Sequence, residues 1–154
     1  MYKRQGVYCS VDKWDKRWLD IAGLVSSWSK DPSTQIAAIA VKDKRLIATG
    51  YNGFPRGIED TDDRWNNREE KYKYVVHAEM NCIYNANYHN QSLKGATMYI
   101  VGLPVCHECA KGIIQAGVSR VVATFDSVPM KWSKSNEITE KMFKEAGVTY
   151  DKIR

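Results

Sequence analysis

Apolar residues recur along the chain with two periods, one typical of helices and the other of buried strands. Between residues 12 and 29 they follow the helical period, and Trp14, Trp18 and Trp28 belong to the apolar stripe. Asp12 is a suitable N-cap, and Pro32 indicates that the helix has ended before it. We predict a helix over residues 12–29 whose tryptophan face packs on a sheet.

Five short segments rich in apolar and β-branched residues predict strands. They cover residues 35–41, 46–51, 96–101, 119–124 and 148–150. A turn at Asp43 and Lys44 connects the first two as a hairpin. The polar stretch from residue 52 to about residue 73 is predicted as a long loop, and loops of that length in a compact domain are usually functional.

Helical periodicity returns three more times, between and after the later strands. The predicted helices cover residues 78–88, 106–116 and 136–146, with Asn136 as an N-cap and glycines after the last two. Strands that alternate with helices after an opening hairpin predict an α/β fold. We expect a three-layer α-β-α arrangement, in which helices flank a central mixed five-stranded sheet, and a single domain over residues 1–154.

Composition and charge narrow the possible classes of protein but do not select one. At 154 residues, with 44% hydrophobic and 27% charged positions, the chain suits one globular domain. No apolar run approaches the ~20 residues of a membrane span, and the start MYKRQGVYCS lacks a signal-peptide core. We therefore expect a cytoplasmic protein without membrane contact. The net charge of +5 is dispersed, which fits a small anionic substrate as well as nucleic acid.

Cysteine and histidine spacing predicts a metal site. Without a secretory signal, metal ligands or free thiols are more typical than disulfides. Cys106 and Cys109 stand one turn apart at a predicted helix start, where the helix dipole favours thiolates. His77, at another helix start, supplies a third ligand, which leaves a fourth zinc position for water, as in catalytic sites. We predict that Cys9 and Cys82 are free thiols.

Glu79 is the residue by which the sequence favours a catalytic zinc site over a structural one. The other histidines do not complete the metal site, because His107 would point about 100° away from Cys106 around the helix, and His89 lies several turns beyond His77. Zinc lowers the pKa of water to around 7, and a neighbouring carboxylate can move the released proton. Glu79, two residues after the ligand His77, is therefore the candidate proton carrier.

The motifs around these residues resemble one enzyme family. HAEMN (77–81) and PVCHEC (104–109) resemble the H-x-E and P-C-x-x-C signature of zinc nucleobase deaminases, with Val105 between the proline and the first cysteine. SKDPSTQ (29–35), GYNGFPRG (50–57) and YVVHAEMN (74–81) make the chain similar to deoxycytidylate deaminases, within the cytidine/deoxycytidylate deaminase superfamily. The resemblance implies a cytidine-deaminase-like fold and zinc-dependent hydrolysis of dCMP to dUMP and ammonia, a reaction that feeds dTMP synthesis.

The same resemblance assigns roles to individual residues. Zinc would be held by His77, Cys106 and Cys109, and Glu79 would carry the proton. The residues implied at the substrate are Ser29 and Lys30 at the phosphate, Asn52 at a sugar hydroxyl, the backbone of Ala78 and Val105 at the base edge, and Trp132 over the pocket. Lys30 also has a structural reason for its place, because a cation at a helix C-terminus favours the helix dipole.

The family also implies regulation and assembly. Its members form homohexamers that dCTP activates and dTTP inhibits, with Mg2+ accompanying these nucleotides. Arg56, in the loop after the second strand, would meet the triphosphate. Asn81 and Asn85, on the helix that begins at HAE, would line the same regulatory site.

Two alternatives remain open from the sequence. A deaminase of free cytidine, or of adenosine in tRNA, would share the metal motif, although lysines in the last predicted helix alternate with glutamates and form no basic surface for RNA. A zinc-stabilised module that binds nucleic acid would need a closed four-ligand site and would leave Glu79 without a role. The family resemblance favours a small-molecule enzyme that binds no nucleic acid.

Overall fold

One mixed β-sheet runs through the molecule and carries helices on both faces. The structure is a computed structural model that describes residues 2–4, 7–9 and 12–153. Its strands are β1 (Tyr2–Arg4), β2 (Val7–Cys9), β3 (Ala37–Lys42), β4 (Arg45–Tyr51), β5 (Thr97–Val101), β6 (Arg120–Thr124) and β7 (Thr149–Ile153). The predicted free thiol at Cys9 lies outside the side chains that are described.

Six helices and one 3-10 turn complete the described elements. The helices are α1 (Lys13–Ser26), α2 (Asp62–Asn66), α3 (Arg68–Tyr74), α4 (Ala78–Tyr88), α5 (His107–Gln115) and α6 (Ser133–Ala146), and the 3-10 turn is Met130–Trp132. Helix α1 packs on one sheet face, whereas α4, α5 and α6 pack on the other. The predicted three-layer α-β-α fold is confirmed. No helix in the described part of the chain is both long and apolar enough to cross a membrane.

The sheet has the strand order β2-β1-β7-β6-β5-β3-β4. The five strands from β7 to β4 are those predicted from the sequence, and β1 and β2 extend this sheet as an additional hairpin on β7. Pairing is parallel among β5, β6 and β7, and antiparallel between β3 and its two neighbours. The mixed character was also predicted correctly.

Strand β3 is buried on both faces, which explains its unbroken apolar sequence. Ala37 and Ile39 belong to the cluster under α1, whereas Ala38 and Ala40 belong to the cluster under α4 and α5. Adjacent residues point to opposite faces of a strand. Both helical layers therefore depend on the small side chains of this strand for close packing.

The predicted loop after residue 52 is wrong for much of its length, because it contains α2 and α3. Each helix begins at a polar cap: the Thr61 hydroxyl accepts a hydrogen bond from the Arg64 N–H, and the Asn67 side chain accepts one from the Glu70 N–H. Such caps satisfy backbone donors at helix starts. A stack of Phe54 on the Trp65 ring, with centroids 4.2 Å apart, anchors the segment.

Two helix boundaries also differ from the prediction. Helix α1 ends at Ser26, where serine hydroxyls bond to backbone carbonyls of the last turn. Trp28 therefore lies beyond the helix and is 53% exposed, so it does not share the packing predicted for the tryptophan face. Asn136 lies inside α6 and is not its N-cap, because the 3-10 turn after Pro129 leads directly into the helix at Ser133.

A buried polar network joins α1 to the sheet. Asp15 of α1 accepts a hydrogen bond from the Tyr99 hydroxyl at 2.6 Å and two from the Arg120 guanidinium at 2.9 and 3.1 Å. Arg120 also pairs with Asp151 at 3.0 Å. Burial alone would raise the pKa of Asp15, but the hydrogen bonds from Arg120 and Tyr99 outweigh it, so the pKa is lowered.

Replacing Asp15 should remove an acid-sensitive part of the stability. A carboxyl whose folded pKa is lowered stabilises the fold above its unfolded pKa of about 3.9, and this contribution is lost as the pH falls through the folded pKa. Asp15→Asn should lower the free energy of unfolding by about 2–4 kcal/mol at pH 7, because it removes one of the two buried carboxylates that pair with Arg120. Urea unfolding at pH 7, 5 and 3.5 would measure this effect.

The matched control is Asp20→Asn, which removes an exposed carboxylate of the same helix that pairs with Lys16. It should leave the unfolding free energy almost unchanged, since exposed pairs contribute little. The difference between wild type and Asp15→Asn should shrink toward low pH. An equal difference at all three pH values would contradict the assigned role of Asp15.

Candidate zinc and active site

The candidate site lies where the N-termini of α4 and α5 meet. His77 is the N-cap residue of α4. Cys106 is the N-cap of α5, and its Sγ accepts a hydrogen bond from the Cys109 N–H at 3.4 Å. Both helices pack on the same apolar cluster. The partial positive charge of a helix start stabilises thiolates, so this junction favours metal-binding sulfur.

Three ligand atoms converge at this junction. His77 Nδ1 lies 3.5 Å from Cys106 Sγ and 3.4 Å from Cys109 Sγ, and the three atoms all lie within 4.8 Å of one another. Tetrahedral zinc, with bonds of about 2.3 Å to sulfur and 2.0 Å to nitrogen, would set the nitrogen and sulfur atoms about 3.6 Å apart. The donor set and its spacing therefore fit zinc.

The other two histidines stand apart from this group. His107 points toward α6, where its Nδ1 lies 2.8 Å from Ser135 Oγ and its backbone N–H donates to the same oxygen at 2.9 Å. His89 caps the far end of α4. Within residues 12–153, the candidate metal-ligating group consists of His77, Cys106 and Cys109.

The two ligand thiols differ in acidity. A hydrogen bond with Cys109, together with those from His77 and the Cys109 backbone, lowers the pKa of Cys106 despite its burial. The same contact with Cys106, reinforced by burial, raises the pKa of Cys109. Cys82 is a free, buried thiol as predicted, and burial raises its pKa to about 12. Cys106 is therefore the thiol that most readily becomes a thiolate.

Glu79 is buried in the first turn of α4, two residues after a ligand, and only 4% of its surface is exposed. Burial raises the pKa of its carboxyl group, and contacts with Cys109 and His77 offset only part of the effect. A carboxyl with a raised pKa can both accept and donate a proton near neutral pH. Glu79 thus has the properties of a proton carrier at the edge of a metal site.

A cavity of about 280 Å3 opens beside the metal-ligating side chains. This volume suits a single small molecule. Glu79 and the ligands His77 and Cys106 form one part of its lining. The remaining lining residues are Asp31, Ser33, Thr34, Ile36, Asn52, Arg68, Lys71, Tyr72, Val75, Leu103, Pro104, Pro129, Lys131 and Trp132.

The residues predicted at the phosphate lie outside this lining. Ser29 is buried, and its hydroxyl donates to the Asn52 carbonyl at 2.8 Å. Lys30 is exposed and pairs with Asp60 at 3.6 Å. The SKDPSTQ motif reaches the cavity through its later residues, which include Asp31. Ser29 therefore supports the wall of the cavity, and its hydroxyl is already used there.

The residues predicted at the base divide into two groups. Trp132 lines the cavity, as expected of a residue that covers it. Ala78 and Val105 are buried and are not part of the lining. The Val105 N–H donates to the Tyr150 hydroxyl at 3.4 Å, and its carbonyl accepts from Thr139 at 2.9 Å. The backbone of Val105 is thus held by α6 and β7.

Asn52 lines the cavity, and the surrounding backbone fixes its orientation. Its Oδ1 accepts a hydrogen bond from the Ile36 N–H at 2.9 Å. Its Nδ2 donates to the Thr34 carbonyl at 2.9 Å and to Asp31 at 3.2 Å. Both amide protons are therefore used, and one lone pair on Oδ1 remains available to accept a hydroxyl proton.

Sequence reasoning missed Asp31 and Lys71, which form a buried ion pair in the cavity wall. Lys71 Nζ lies 3.1 Å from Asp31 Oδ1. Asp31 belongs to the SKDPSTQ motif, so the family resemblance of that motif could have indicated Asp31 as a residue of the site. Lys71 stands among other charged residues of a helix that was predicted as a loop, and nothing in that pattern marks it.

A second cavity, of about 500 Å3, brings together the residues predicted at a regulatory site. Arg56, Asn81 and Asn85 line it together with Tyr51, Pro55, Val76 and Tyr84. The guanidinium of Arg56 donates to Asn85 Oδ1 and lies 4.2 Å from the centroid of the Tyr88 ring. Asn81 donates to the Tyr51 carbonyl at 2.8 Å. Asn85 donates to the Thr49 carbonyl at 2.7 Å, so the two asparagines join α4 to β4 at the edge of this cavity.

Comparisons with known proteins agree with this architecture. Mouse (Mus musculus) deoxycytidylate deaminase is 40% identical over 149 residues, which cover 92% of this chain and 80% of the mouse protein. An uncharacterized deaminase from the luxG 3′ region of Aliivibrio fischeri is 39% identical over 140 residues, 90% of this chain and 92% of that protein. The same fold occurs in the structure of dCMP deaminase from cyanophage S-TIM5 in complex with dCMP and dUMP, with a TM-score of 0.73. The two chains are 23% identical, and the match covers 94% of this chain and 99% of the phage chain.

The family model for the cytidine and deoxycytidylate deaminase zinc-binding region matches residues 12–125. That span includes α1, the hairpin β3–β4, and the helix starts that carry Glu79 and the three zinc-fitting side chains. The match confirms the resemblance that the motifs indicated. The chain belongs to the zinc-binding cytidine and deoxycytidylate deaminase family.

Proposed function

We propose that this protein deaminates dCMP to dUMP and ammonia by zinc-dependent hydrolysis. The observation that carries the proposal is the buried carboxyl of Glu79 in the wall of a cavity that His77 and Cys106 also line. A zinc site that only stabilised the fold would have no use for this acid. Relatives that are named deoxycytidylate deaminases support the choice of substrate. The product dUMP would feed dTMP synthesis.

Glu79 moves the protons of the reaction in this proposal. When bound, zinc supplies a Lewis acid that lowers the pKa of water to around 7. Glu79 accepts a proton from the attacking water as the oxygen bonds to C4, and it delivers this proton to N3. A second transfer takes the remaining proton to the amino group. The C4–N bond then breaks, and ammonia leaves with its electron pair.

Other lining residues would orient the substrate. The free lone pair of Asn52 Oδ1 suits a sugar hydroxyl, and the Trp132 ring suits a base that stacks in the cavity. The backbone of Ala78 and Val105 would shape the pocket behind the base. His77, Cys106 and Cys109 would hold the metal.

Glu79→Gln should abolish deamination while it keeps the metal. The amide has nearly the same size, but it cannot accept a proton. The kcat for dCMP should therefore fall by about 100- to 10,000-fold. Ammonia release would measure activity, and atomic absorption would measure zinc content. The control is Glu108→Gln, an exposed carboxylate between the two cysteines that pairs with Lys111. Substantial activity in Glu79→Gln would contradict the mechanism.

Zinc content should depend on Cys109 and be independent of His107. After dialysis against a weak chelator, wild type should hold about one zinc ion per chain. Cys109→Ser should lose it and lose activity, because a hydroxyl is a much poorer zinc ligand than a thiolate. His107→Ala should retain it, because that imidazole faces Ser135. Metal loss in His107→Ala would instead indicate a closed four-ligand site.

We also propose that the second cavity binds regulatory nucleotides, dCTP as activator and dTTP as inhibitor, with Mg2+ on their phosphates. Arg56 supplies a cation there, and the amides of Asn81 and Asn85 supply hydrogen-bonding groups. Exposed aromatic side chains lie at this cavity, since Tyr51 and Tyr84 line it and Tyr88 contacts Arg56. We propose that they contribute to contacts in a homohexamer, where apolar surface would be covered.

Regulation should depend on Arg56. With Mg2+ present, dCTP should lower the substrate concentration at half saturation for wild type, and dTTP should raise it. Arg56→Ala should respond to neither nucleotide, because a triphosphate loses its cationic partner there. Arg45→Ala, an exposed arginine at the start of β4, is the control and should respond like wild type. If wild type itself responds to neither nucleotide, the regulatory proposal is wrong.

A further inference from the structure

Three cationic side chains line the candidate active cavity, and the described mechanism uses none of them. Lys71 and Arg68 come from α3, and Lys131 comes from the 3-10 turn that precedes α6. Lys71 is buried, whereas Arg68 and Lys131 are exposed. Cations at both the wall and the rim of one cavity indicate that its occupant carries negative charge.

Lys71 is held in place with hydrogen-bonding capacity left over. Its side chain is 6% exposed, and its Nζ lies 3.1 Å from Asp31 Oδ1, whose side chain is 10% exposed. An ammonium group has three N–H donors, and Asp31 accepts only one of them here. A buried ion pair is costly to desolvate and is seldom kept for stability alone. The remaining donors of Lys71 can therefore serve a ligand in the cavity.

Asp31 is itself fixed by several donors, so it sets the position of Lys71. The Ser33 and Thr34 N–H groups donate to Oδ1 at 2.8 and 3.3 Å, and Asn52 Nδ2 donates to Oδ2 at 3.2 Å. Lys71 and Asn52 thus share one carboxylate. A ligand that contacts both would be bound by a single rigid unit.

The two exposed cations are placed beside aromatic rings that line the same cavity. Arg68 Cζ lies 5.4 Å from the centroid of the Tyr72 ring, and Lys131 Nζ lies 5.5 Å from that of Trp132. Among the described residues of α3, the ion pairs are those of Lys71 with Asp31 and of Lys73 with Glu70. Arg68 therefore keeps its charge for solvent or a ligand.

We propose that Lys71, Arg68 and Lys131 form the subsite for the 5′-phosphate of the substrate and so select a nucleotide over a nucleoside. The inference rests on the proposed function, in which the substrate is dCMP. A phosphate dianion would take the unused donors of Lys71 and lie between the two exposed cations. Ser29 and Lys30, which the motif indicated, lie outside the cavity lining.

The selectivity for phosphate should decrease when the exposed cations are removed. In Arg68→Ala and Lys131→Ala, kcat/KM for dCMP should fall roughly 3- to 10-fold each, mainly through KM, because each loses one charged partner of the phosphate. Deoxycytidine lacks the phosphate, so its kcat/KM should change less than about twofold. Lys73→Ala, an exposed lysine of the same helix, is the matched control and should change neither value.

Lys71 requires a variant that does not leave Asp31 buried and unpaired. The double variant Asp31→Asn/Lys71→Met removes both charges with little change of volume, and its thermal unfolding would show that it folds. It should lose roughly 10-fold or more in kcat/KM for dCMP relative to deoxycytidine. Inorganic phosphate should inhibit wild type competitively and should inhibit this double variant much more weakly.

The subsite can be judged even without turnover. Calorimetry with the Glu79→Gln protein should show tighter binding of dUMP than of deoxyuridine, and Arg68→Ala and Lys131→Ala should reduce this difference. Equal binding of dUMP and deoxyuridine would overturn the subsite. A larger loss of the preference for dCMP over deoxycytidine in Lys30→Ala than in Lys131→Ala would also overturn it. Neither result would contradict the proposed deamination. If wild-type protein deaminates neither dCMP nor deoxycytidine, but Glu79→Gln still binds dUMP more tightly than deoxyuridine, the subsite stands and the proposed reaction is wrong.

Discussion

Helix α4 lies against strand β4 at Gly50, where an added Cβ atom would stand only 2.3 Å from the backbone nitrogen of Cys82. No other residue fits there without separating the helix from the sheet. This contact fixes the height and rotation of α4, and therefore the positions of His77 and Glu79 at its start. The metal-ligating imidazole and the buried carboxyl thus depend on one backbone approach, which involves the turn of α4 from Ala78 to Cys82.

The second half of the site is fixed by different contacts. Cys106 caps α5, and the segment before it is held by Tyr150 and Thr139, which bond to the backbone of Val105. Thr139 belongs to α6, and Tyr150 belongs to β7. The spacing of the zinc-fitting atoms is consequently a property of the whole helical layer, since four elements must pack correctly to bring them within reach.

Buried charges serve two different purposes in this structure. Under α1, Asp15 and Arg120 join a helix to three strands through Tyr99 and Asp151. At the candidate site, Glu79 and the pair of Asp31 with Lys71 face a cavity that a small molecule can enter. Desolvating an ionised group costs free energy, so such groups are tolerated where a partner or a ligand compensates. Structural and ligand-binding roles therefore follow from what each charge faces.

The sequence by itself determined the fold class and indicated the chemistry of the candidate site. Apolar periodicity located the five central strands, and the spacing of His77, Glu79, Cys106 and Cys109 indicated both a zinc-binding donor set and a proton carrier. These features are local, because each depends on residues within one or two turns of a helix or along one strand. Such local patterns can be recognised in the sequence without knowing which elements pack against them.

The tertiary structure decided which residues reach the cavity. Lys71 lies on α3, a short polar helix that begins at the Asn67 cap, so hydrophobic periodicity did not reveal it. Ser29 and Lys30 begin the motif whose later residues reach the cavity, yet the Ser29 hydroxyl bonds to the Asn52 carbonyl and Lys30 pairs with Asp60 outside the lining. Whether a polar side chain faces water, a partner or a ligand depends on contacts between elements distant in sequence. That information appears only when the sheet and its helices are assembled.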